Sequence, residues 1–174
     1  MSTVNKPVSE DGKPLEIERK YLIDYPDIRW IEEYPDAKKA EITQVYFDTD
    51  EEKRLRVRKL ETGGKKYYYL TKKKKISNLV RIEEEWEISE EEYDNLPQKA
   101  VGKRRMISKT RYALPYNGRV VEIDIFPFWK DRAIAEVELE SEDEEVRLPG
   151  EIKIIREVTE EPEYTNYQMA YDVD

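Results

Sequence analysis

Polar and apolar residues alternate along most of this chain. From Leu15 to Ile23, every second side chain is charged, with Glu16, Glu18 and Lys20 at alternating positions. Because successive side chains of a β-strand point to opposite faces, this pattern predicts a strand with these three residues on one face. Seven further segments alternate or are rich in β-formers, and we predict strands over 41–47, 54–60, 66–73, 80–88, 106–114, 120–126 and 133–140.

Turns and short helices interrupt the predicted strands. Glycine-containing dipeptides at 63–64 and 117–118 lie between consecutive strand segments and indicate hairpin turns. A capping-box spacing at the start of 89–96 predicts a short helix there. Two more helices are predicted over 25–34 and 164–171. Eight strands with few helices indicate a mainly β (α+β) domain, built either as a sandwich or as a closed antiparallel barrel.

Charge recurs on one face of nearly every predicted strand. Two explanations are open at this point. The charged faces are the solvent side of half-buried sheets, or they line a closed barrel in which a ligand of mixed charge, such as a metal-bound polyphosphate, neutralises them. The charged positions are Glu16, Glu18, Lys20, Arg54, Arg56, Arg58, Glu83, Glu85, Glu87, Lys109, Arg111, Glu122, Asp124, Glu136, Glu138 and Glu140.

The amino-acid composition excludes several kinds of catalytic and metal-binding site. The chain of 174 residues has no Cys and no His, so thiolate nucleophiles, imidazole bases and zinc–sulfur sites are excluded. Any metal must be bound by oxygen, which favours Mg²⁺, Mn²⁺ or Ca²⁺. The net charge of −9 argues against nucleic-acid binding.

The sequence also predicts a domain layout and a compartment. Residues 1–14 are polar and aperiodic, and we predict a disordered N-terminal tail before one domain over 15–174. No apolar run suits a membrane span or a secretory signal, so we expect a cytoplasmic protein without a membrane partner.

Eight short motifs follow one another along 15–171. They are Glu16-Ile-Glu18-Arg-Lys20, Gln44-Val-Tyr46, Arg56-Val-Arg58, Thr71-Lys-Lys73, Glu85-Trp-Glu87, Lys109-Thr-Arg111-Tyr112, Glu122-Ile-Asp124 and Glu136-Val-Glu138. In type and order they resemble the motifs of the CYTH superfamily, the triphosphate tunnel metalloenzymes. The resemblance implies an eight-stranded antiparallel closed β-barrel with a few flanking helices. It further implies a small-molecule triphosphate as substrate and Mg²⁺ or Mn²⁺ as cofactor.

The resemblance also implies roles for individual residues. Glu16, Glu18 and Glu138 would hold a first metal ion, and Glu136 and Asp124 are further metal candidates. Glu85, Glu87 and Glu136 would hold a second ion or orient the attacking water, and Lys109 is a further catalytic candidate. The expected substrate-binding residues are Lys20, Tyr46, Arg56, Arg58, Lys73, Lys109 and Arg111. With His and Cys absent, water is the expected nucleophile.

The activity that we favour is hydrolysis of inorganic tripolyphosphate to pyrophosphate and phosphate. Three alternatives remain: a class IV type adenylate cyclase, a thiamine or nucleoside triphosphatase, and a noncatalytic polyphosphate or nucleotide sensor. Related sequences tend to carry basic residues in a segment near the C-terminus, but 161–166 has none. This departure makes the substrate less certain than the fold. The oligomeric state is not indicated by the sequence.

Overall fold

Eight strands close into an antiparallel barrel in the computed structural model, which describes residues 6–173. Their order around the barrel is β6, β2, β3, β4, β5, β1, β8 and β7, and pairing of β7 with β6 closes the ring. The closed barrel is thereby confirmed and the sandwich is excluded. The strands are β1 (Leu15–Asp24), β2 (Lys38–Phe47), β3 (Leu55–Thr62), β4 (Lys65–Lys75), β5 (Val80–Glu87), β6 (Arg104–Tyr116), β7 (Arg119–Ile125) and β8 (Arg132–Leu139).

The strand register brings the charged positions of neighbouring strands side by side. Glu18 lies opposite Glu138, and Lys20 lies opposite Glu136, in the antiparallel ladder of β1 and β8. Because side chains alternate between the two faces of a strand, these residues share one face, and that face lines the interior of the barrel. The intervening apolar residues form the main hydrophobic core on the outer face of the barrel.

Short helices cover parts of this outer face. Helix α1 (Ile28–Glu33) buries Ile31 completely in the main core, and the side chain of Asp27 caps it by accepting hydrogen bonds from two backbone N–H groups. Helix α2 (Glu90–Asn95) begins with the predicted capping box. The Ser89 Oγ accepts from the Glu92 N–H at 3.1 Å, and the Glu92 Oε2 accepts from the Ser89 N–H at 2.8 Å.

The C-terminal segment differs from the prediction of one helix over 164–171. A 3₁₀ turn (Pro162–Tyr164) and a four-residue helix α3 (Asn166–Met169) stand there instead. Strand β10 (Tyr171–Val173) follows and pairs with the start of β6, and strand β9 (Ile154–Glu157) pairs with the end of β1. Neither strand was predicted. Strand β9 pairs with β1 beyond the point where β5 has ended, and β10 pairs with the part of β6 that β7 does not reach. An unpaired strand edge favours such additions.

Residues 6–14, part of the predicted tail, have a defined turn. Val8 forms a β-bridge with Pro14, and the Ser9 N–H donates to the Lys13 carbonyl at 2.9 Å. Gly12 has a φ of +80°, a conformation that favours glycine, and this allows the chain to reverse. Residues 1–5 of the predicted tail lie outside the described residues.

The helices between residues 6 and 173 are all too short or too polar to cross a bilayer.

Candidate active site

The barrel encloses a cavity of about 690 Å³ that is lined mainly by charged side chains. Ten basic and seven acidic residues line it, so the lining carries a net charge of +3 although the whole chain carries −9. A cationic cavity inside an acidic protein concentrates the field on an anionic ligand. The basic residues are Lys6, Lys20, Arg54, Arg56, Arg58, Lys73, Lys75, Arg81, Lys109 and Arg111, and the acidic ones are Glu16, Glu18, Glu83, Glu85, Glu122, Glu136 and Glu138.

Most of the residues that the sequence predicted for the site lie in this lining. They are Glu16, Glu18, Lys20, Tyr46, Arg56, Arg58, Lys73, Glu85, Lys109, Arg111, Glu136 and Glu138. Two predicted residues lie elsewhere. Glu87 is the exposed last residue of β5, and Asp124 is completely buried behind the lining.

Asp124 pairs with two of the lining cations. Its Oδ2 lies 2.6 Å from the Lys109 Nζ, and its carboxylate accepts from the Arg111 Nε and Nη2 at 2.7 and 2.8 Å. Burial raises the cost of ionising Asp124, but the charges of Arg111 and Lys109 offset it and hold its pKa below the usual value. Since both oxygens are engaged, the geometry suits Asp124 to positioning these cations and not to its predicted role as a metal ligand.

Glu136 occupies a similar bridging place. Its Oε1 lies 3.5 Å from the Lys20 Nζ, and its Oε2 lies 3.4 Å from the Arg111 Nη2. Burial opposes its ionisation, but Lys20 and Arg111 lower its pKa well below the usual value. Glu136 is therefore a charged acceptor that separates and orients two cations.

Glu16 and Glu18, two residues apart on β1, have opposite electrostatic environments. Burial disfavours the charge of Glu16, yet the ammonium of Lys73, 3.0 Å from its Oε1, lowers its pKa to about 2. Burial and the neighbouring charges of Glu136 and Glu16 raise the pKa of Glu18 well above its usual value. Glu18 is thus a carboxylate whose ionised form has too little positive charge around it.

Glu138 faces Glu18 across the ladder and is also short of partners. Its Oε1 is buried and accepts no hydrogen bond from the residues that the structure describes, and the Lys6 Nζ lies 3.5 Å away. Burial raises the pKa of Glu138. Within residues 6–173, no three acidic side chains are gathered closely enough to form a complete metal site.

The donor chemistry nevertheless fits a hard divalent cation. Glu16, Glu18 and Glu138 lie on one inner face of two adjacent strands and offer only oxygen atoms, the ligands that Mg²⁺ and Mn²⁺ prefer. The unsatisfied Glu138 oxygen and the disfavoured charge of Glu18 are both features that a bound cation would relieve.

The opposite side of the cavity presents arginines. Arg58 donates from Nε to the Gln44 Oε1 at 3.1 Å, and burial together with the charge of Arg56 lowers its pKa to about 10. Arg56 donates to the Thr71 Oγ1 at 3.2 Å and lies 3.7 Å from the Glu85 carboxylate. Both guanidinium groups face the cavity.

One end of the barrel interior is apolar. Ile107 precedes Lys109 on the same face of β6, and it packs with Phe126, Ile134 and Ala170 in a second hydrophobic cluster. Thr165, Asn166 and Tyr167 of the C-terminal segment line the cavity beside this cluster. The segment without basic residues therefore contributes polar and aromatic groups to the site, and the Asn166 Oδ1 accepts from the Lys109 Nζ at 3.0 Å.

Several lining residues were not assigned to the site from the sequence. Alternation had already placed Arg54 and Glu83 on the charged strand faces, without a role in the site. Lys75 and Arg81 share the strand parity of the predicted residues, so alternation extended along β4 and β5 could have found them. Lys6 has no such signal because it precedes the first barrel strand.

The fold and the cavity define a closed antiparallel barrel with a cationic, carboxylate-containing interior. The CYTH domain family matches residues 14–166, and the chain belongs to this family.

Solved structures agree with this assignment. The inorganic triphosphatase NE1496 is 26% identical with a TM-score of 0.51, and the alignment covers 91% of this chain and 95% of that one. A structure described as the hypothetical protein NE1496 is 27% identical with a TM-score of 0.53, covering 91% and 99%. The PH1819 protein of Pyrococcus horikoshii OT3, at 20% identity and a TM-score of 0.54, covers 74% and 80% and shows the shared fold. No curated protein matched the chain.

Proposed function

We propose that this chain is a metal-dependent triphosphatase that hydrolyses inorganic tripolyphosphate to pyrophosphate and phosphate in the barrel cavity. The observation that carries the proposal is the charge of the lining, +3 inside a chain of −9. A cavity with this charge attracts a compact polyanion, and its carboxylates suit the cations that accompany a polyphosphate.

The requirements of phosphoryl transfer fit this lining. The reaction spreads negative charge over the nonbridging oxygens, so the protein must mainly position the substrate and supply positive charge. Arg56, Arg58 and Lys73 would bind phosphate oxygens from one side, with Lys20, Lys109 and Arg111 from the other. Tyr46, whose hydroxyl accepts from the Gln44 Nε2 at 3.3 Å, adds a neutral polar group.

Glu16, Glu18 and Glu138 would hold Mg²⁺ or Mn²⁺. When bound, such an ion supplies positive charge for the phosphate oxygens and lowers the pKa of a coordinated water. These carboxylates would bind the ion, and Lys73 would keep Glu16 ionised before the ion binds.

Glu85 is the best placed group to accept a proton from water. Its Oε2 accepts from the Thr71 Oγ1 at 2.9 Å, which orients the carboxylate, and about a third of its side chain is exposed. Glu136 and Asp124 act in this proposal by holding the positions of Lys20, Lys109 and Arg111. Glu87 lies outside the cavity and has no part in it.

The similarity to the inorganic triphosphatase NE1496 supports the choice of substrate, since the alignment covers nearly the whole of both chains. The proposal goes beyond that similarity in naming tripolyphosphate and a divalent metal for this chain.

The test is a phosphate-release assay on tripolyphosphate, pyrophosphate, ATP and thiamine triphosphate, each with Mg²⁺, with Mn²⁺ and with a chelator. We expect rapid metal-dependent release from tripolyphosphate. Glu18→Gln should lower this rate by at least about 100-fold, since the loss of even an indirect metal contact costs 10- to 100-fold. A melting curve on the same variant would confirm that it is folded.

Each alternative outcome has a defined meaning. Tight binding of tripolyphosphate without release would identify a binding protein, and cyclic AMP formed from ATP would identify a cyclase. Faster release from ATP or thiamine triphosphate would keep the reaction and change the substrate. Full activity of Glu18→Gln at saturating Mg²⁺ would remove Glu18 from the proposed metal site.

A further inference from the structure

Lys6 enters the cavity from outside the family domain. The matched domain begins at residue 14, yet the Lys6 Nζ lies 3.5 Å from the Glu138 Oε1 and 3.9 Å from the Glu83 Oε2. Its side chain is about one-third exposed, whereas those of Glu138 and Glu83 are 14% and 10% exposed. A partly exposed cation therefore lies beside two nearly buried carboxylates.

The turn that follows Lys6 is fixed to the barrel. The Leu15 N–H donates to the Pro7 carbonyl at 2.8 Å, and the Glu83 N–H donates to the Pro14 carbonyl at 3.1 Å. Lys13 adds an ion pair with Glu84 at 3.3 Å, outside the cavity lining. Because Pro7 is held at the start of β1, the backbone of Lys6 stays at the mouth of the cavity.

The Glu138 Oε1 gains positive charge from Lys6, whereas the Glu83 Oε2 gains it from Lys6 and also from Lys73, whose Nζ lies 3.7 Å away; neither contact adds much directional bonding. The Glu138 Oε1 and the Glu83 Oε2 are both buried, and neither accepts a hydrogen bond from any residue between 6 and 173. Their distances to the Lys6 Nζ exceed the ~2.8 Å of a close charge-assisted hydrogen bond. The pairing is therefore loose, and a smaller cation of higher charge would satisfy the same oxygens better.

We propose that Lys6 competes with the divalent metal ion for the Glu138 carboxylate. In the metal-free site the Lys6 ammonium occupies this carboxylate, and it thereby sets the metal concentration at which the site fills. This inference rests on the proposed function, in which Glu138 is a metal ligand. It adds a residue to the site that lies outside the CYTH domain and sets the metal requirement of this particular chain.

Two physical effects produce the competition. An ammonium group held by a short tether has an effective local concentration in the millimolar range, so it is always available to the carboxylate. An ion bound beside it is also repelled by its charge until Lys6 withdraws to solvent. The chain offers room for that withdrawal because Lys6 is partly exposed.

The experiment measures metal binding without substrate or turnover. Metal-free protein comprising all 174 residues is titrated with Mn²⁺, and free Mn²⁺ is followed by its electron paramagnetic resonance signal; Mg²⁺ binding is measured by calorimetry. Lys6→Met removes the charge and keeps the side-chain length, Lys6→Arg keeps the charge, and Lys13→Met removes the neighbouring lysine that pairs outside the cavity.

We expect Lys6→Met to bind Mn²⁺ about three- to tenfold more tightly, the range for a partly exposed ion pair near a divalent ion. Lys6→Arg and Lys13→Met should bind like the original chain. The melting temperature of Lys6→Met should also rise more on adding Mn²⁺, because ligand binding stabilises the folded state according to affinity.

The outcomes separate this inference from the proposed function. Unchanged affinity in Lys6→Met, with normal binding by the original chain, would overturn the competition and leave the triphosphatase proposal intact. Weaker metal binding in Lys6→Met would also overturn it, since Lys6 would then support the site. Absence of metal binding in every variant would overturn both, whereas binding only after Lys6→Met would support the competition strongly.

Discussion

Two groups of ion pairs inside the barrel differ in how tightly they are made. Around Asp124, a fully buried carboxylate binds Lys109 and Arg111 through three contacts of 2.6 to 2.8 Å. Around Glu138, a buried oxygen accepts no hydrogen bond from the described part of the chain, residues 6–173, and the cation that pairs with it there is Lys6, at 3.5 Å.

The difference indicates two kinds of charge in one cavity. The Asp124 group satisfies its hydrogen bonds within the protein, so it holds cations in fixed positions before any ligand binds. The Glu138 group leaves carboxylate oxygen atoms without hydrogen bonds from residues 6–173, as expected of a site that binds an exchangeable cation. The predictions that follow test this distinction.

The largest expected effect is on stability, from Asp124→Asn. This change leaves Lys109 and Arg111 buried without their shared counter-charge, which should cost about 3–5 kcal/mol of unfolding free energy. Urea denaturation measures the loss. The matched variant Glu138→Gln should cost less than about 1 kcal/mol without metal, because its ion pair is loose. Equal losses in the two variants would remove the distinction between the groups.

Glu16 and Glu18 should respond to neutralisation in opposite directions. The folded-state pKa of Glu16, about 2, lies below the usual 4.5, so its ionisation stabilises the fold above pH 4.5 and this contribution disappears as the pH falls toward 2. Glu16→Gln should therefore lower the unfolding free energy at pH 7 by about 3 kcal/mol.

The pKa of Glu18 is raised, so its ionised form destabilises the fold at neutral pH and the penalty vanishes below pH 4.5. Glu18→Gln should raise the unfolding free energy at pH 7 in the absence of metal, and the gain should shrink at pH 5. Denaturation of both variants at the two pH values checks the signs. A destabilised Glu18→Gln would show that Glu18 already has a favourable partner.

Lys109 should make substrate binding sensitive to alkaline pH. Burial and the neighbouring charge of Arg111 lower its pKa to about 8, so it is charged below that pH and increasingly neutral above it. Loss of one charged hydrogen-bond donor should raise KM for tripolyphosphate several-fold, about three- to tenfold, between pH 7 and 9. Steady-state kinetics at constant free metal measure the rise. Lys109→Arg should flatten the profile, and an unchanged inflection in that variant would assign it to another group.

The smallest expected effect is that of Glu87→Gln. Because Glu87 is exposed and lies outside the cavity lining, kcat should stay within about twofold of the original value. Glu85→Gln, two residues earlier on the same strand, should lower kcat clearly, by about 100-fold for a lost general base. A large effect at Glu87 would require a cavity that extends past the end of β5.

Much of the fold could be predicted from local pattern. Each of the eight barrel strands overlaps a segment that alternates or is rich in β-forming residues, and the capping box at Ser89 marks the start of α2. Strands β9 and β10 could not be found in this way. Both are short, and they are strands because β1 and β6 present free edges to them.

The site residues, like the strands, could be predicted only in part from local sequence pattern. Alternation placed the charged residues on common faces, and most of those named from the motifs do line the cavity. The motifs did not distinguish Asp124, buried behind the lining, from Glu138, which faces the cavity with an unsatisfied oxygen. Depth and partners depend on the register of neighbouring strands, which a motif does not contain.

The sequence by itself determined that charged and apolar side chains occupy opposite faces of the strands, because the two-residue period of a strand follows from backbone geometry. Only the tertiary structure decided that the charged face is the inner one, since closure through β6 and β7 turns that face away from bulk solvent. It also decided which charges neutralise one another, because ion pairing depends on distances of a few ångströms between residues far apart in the chain. Lys6 shows this most clearly: nothing around it in the sequence marks it, and the fold of its turn places it beside Glu138.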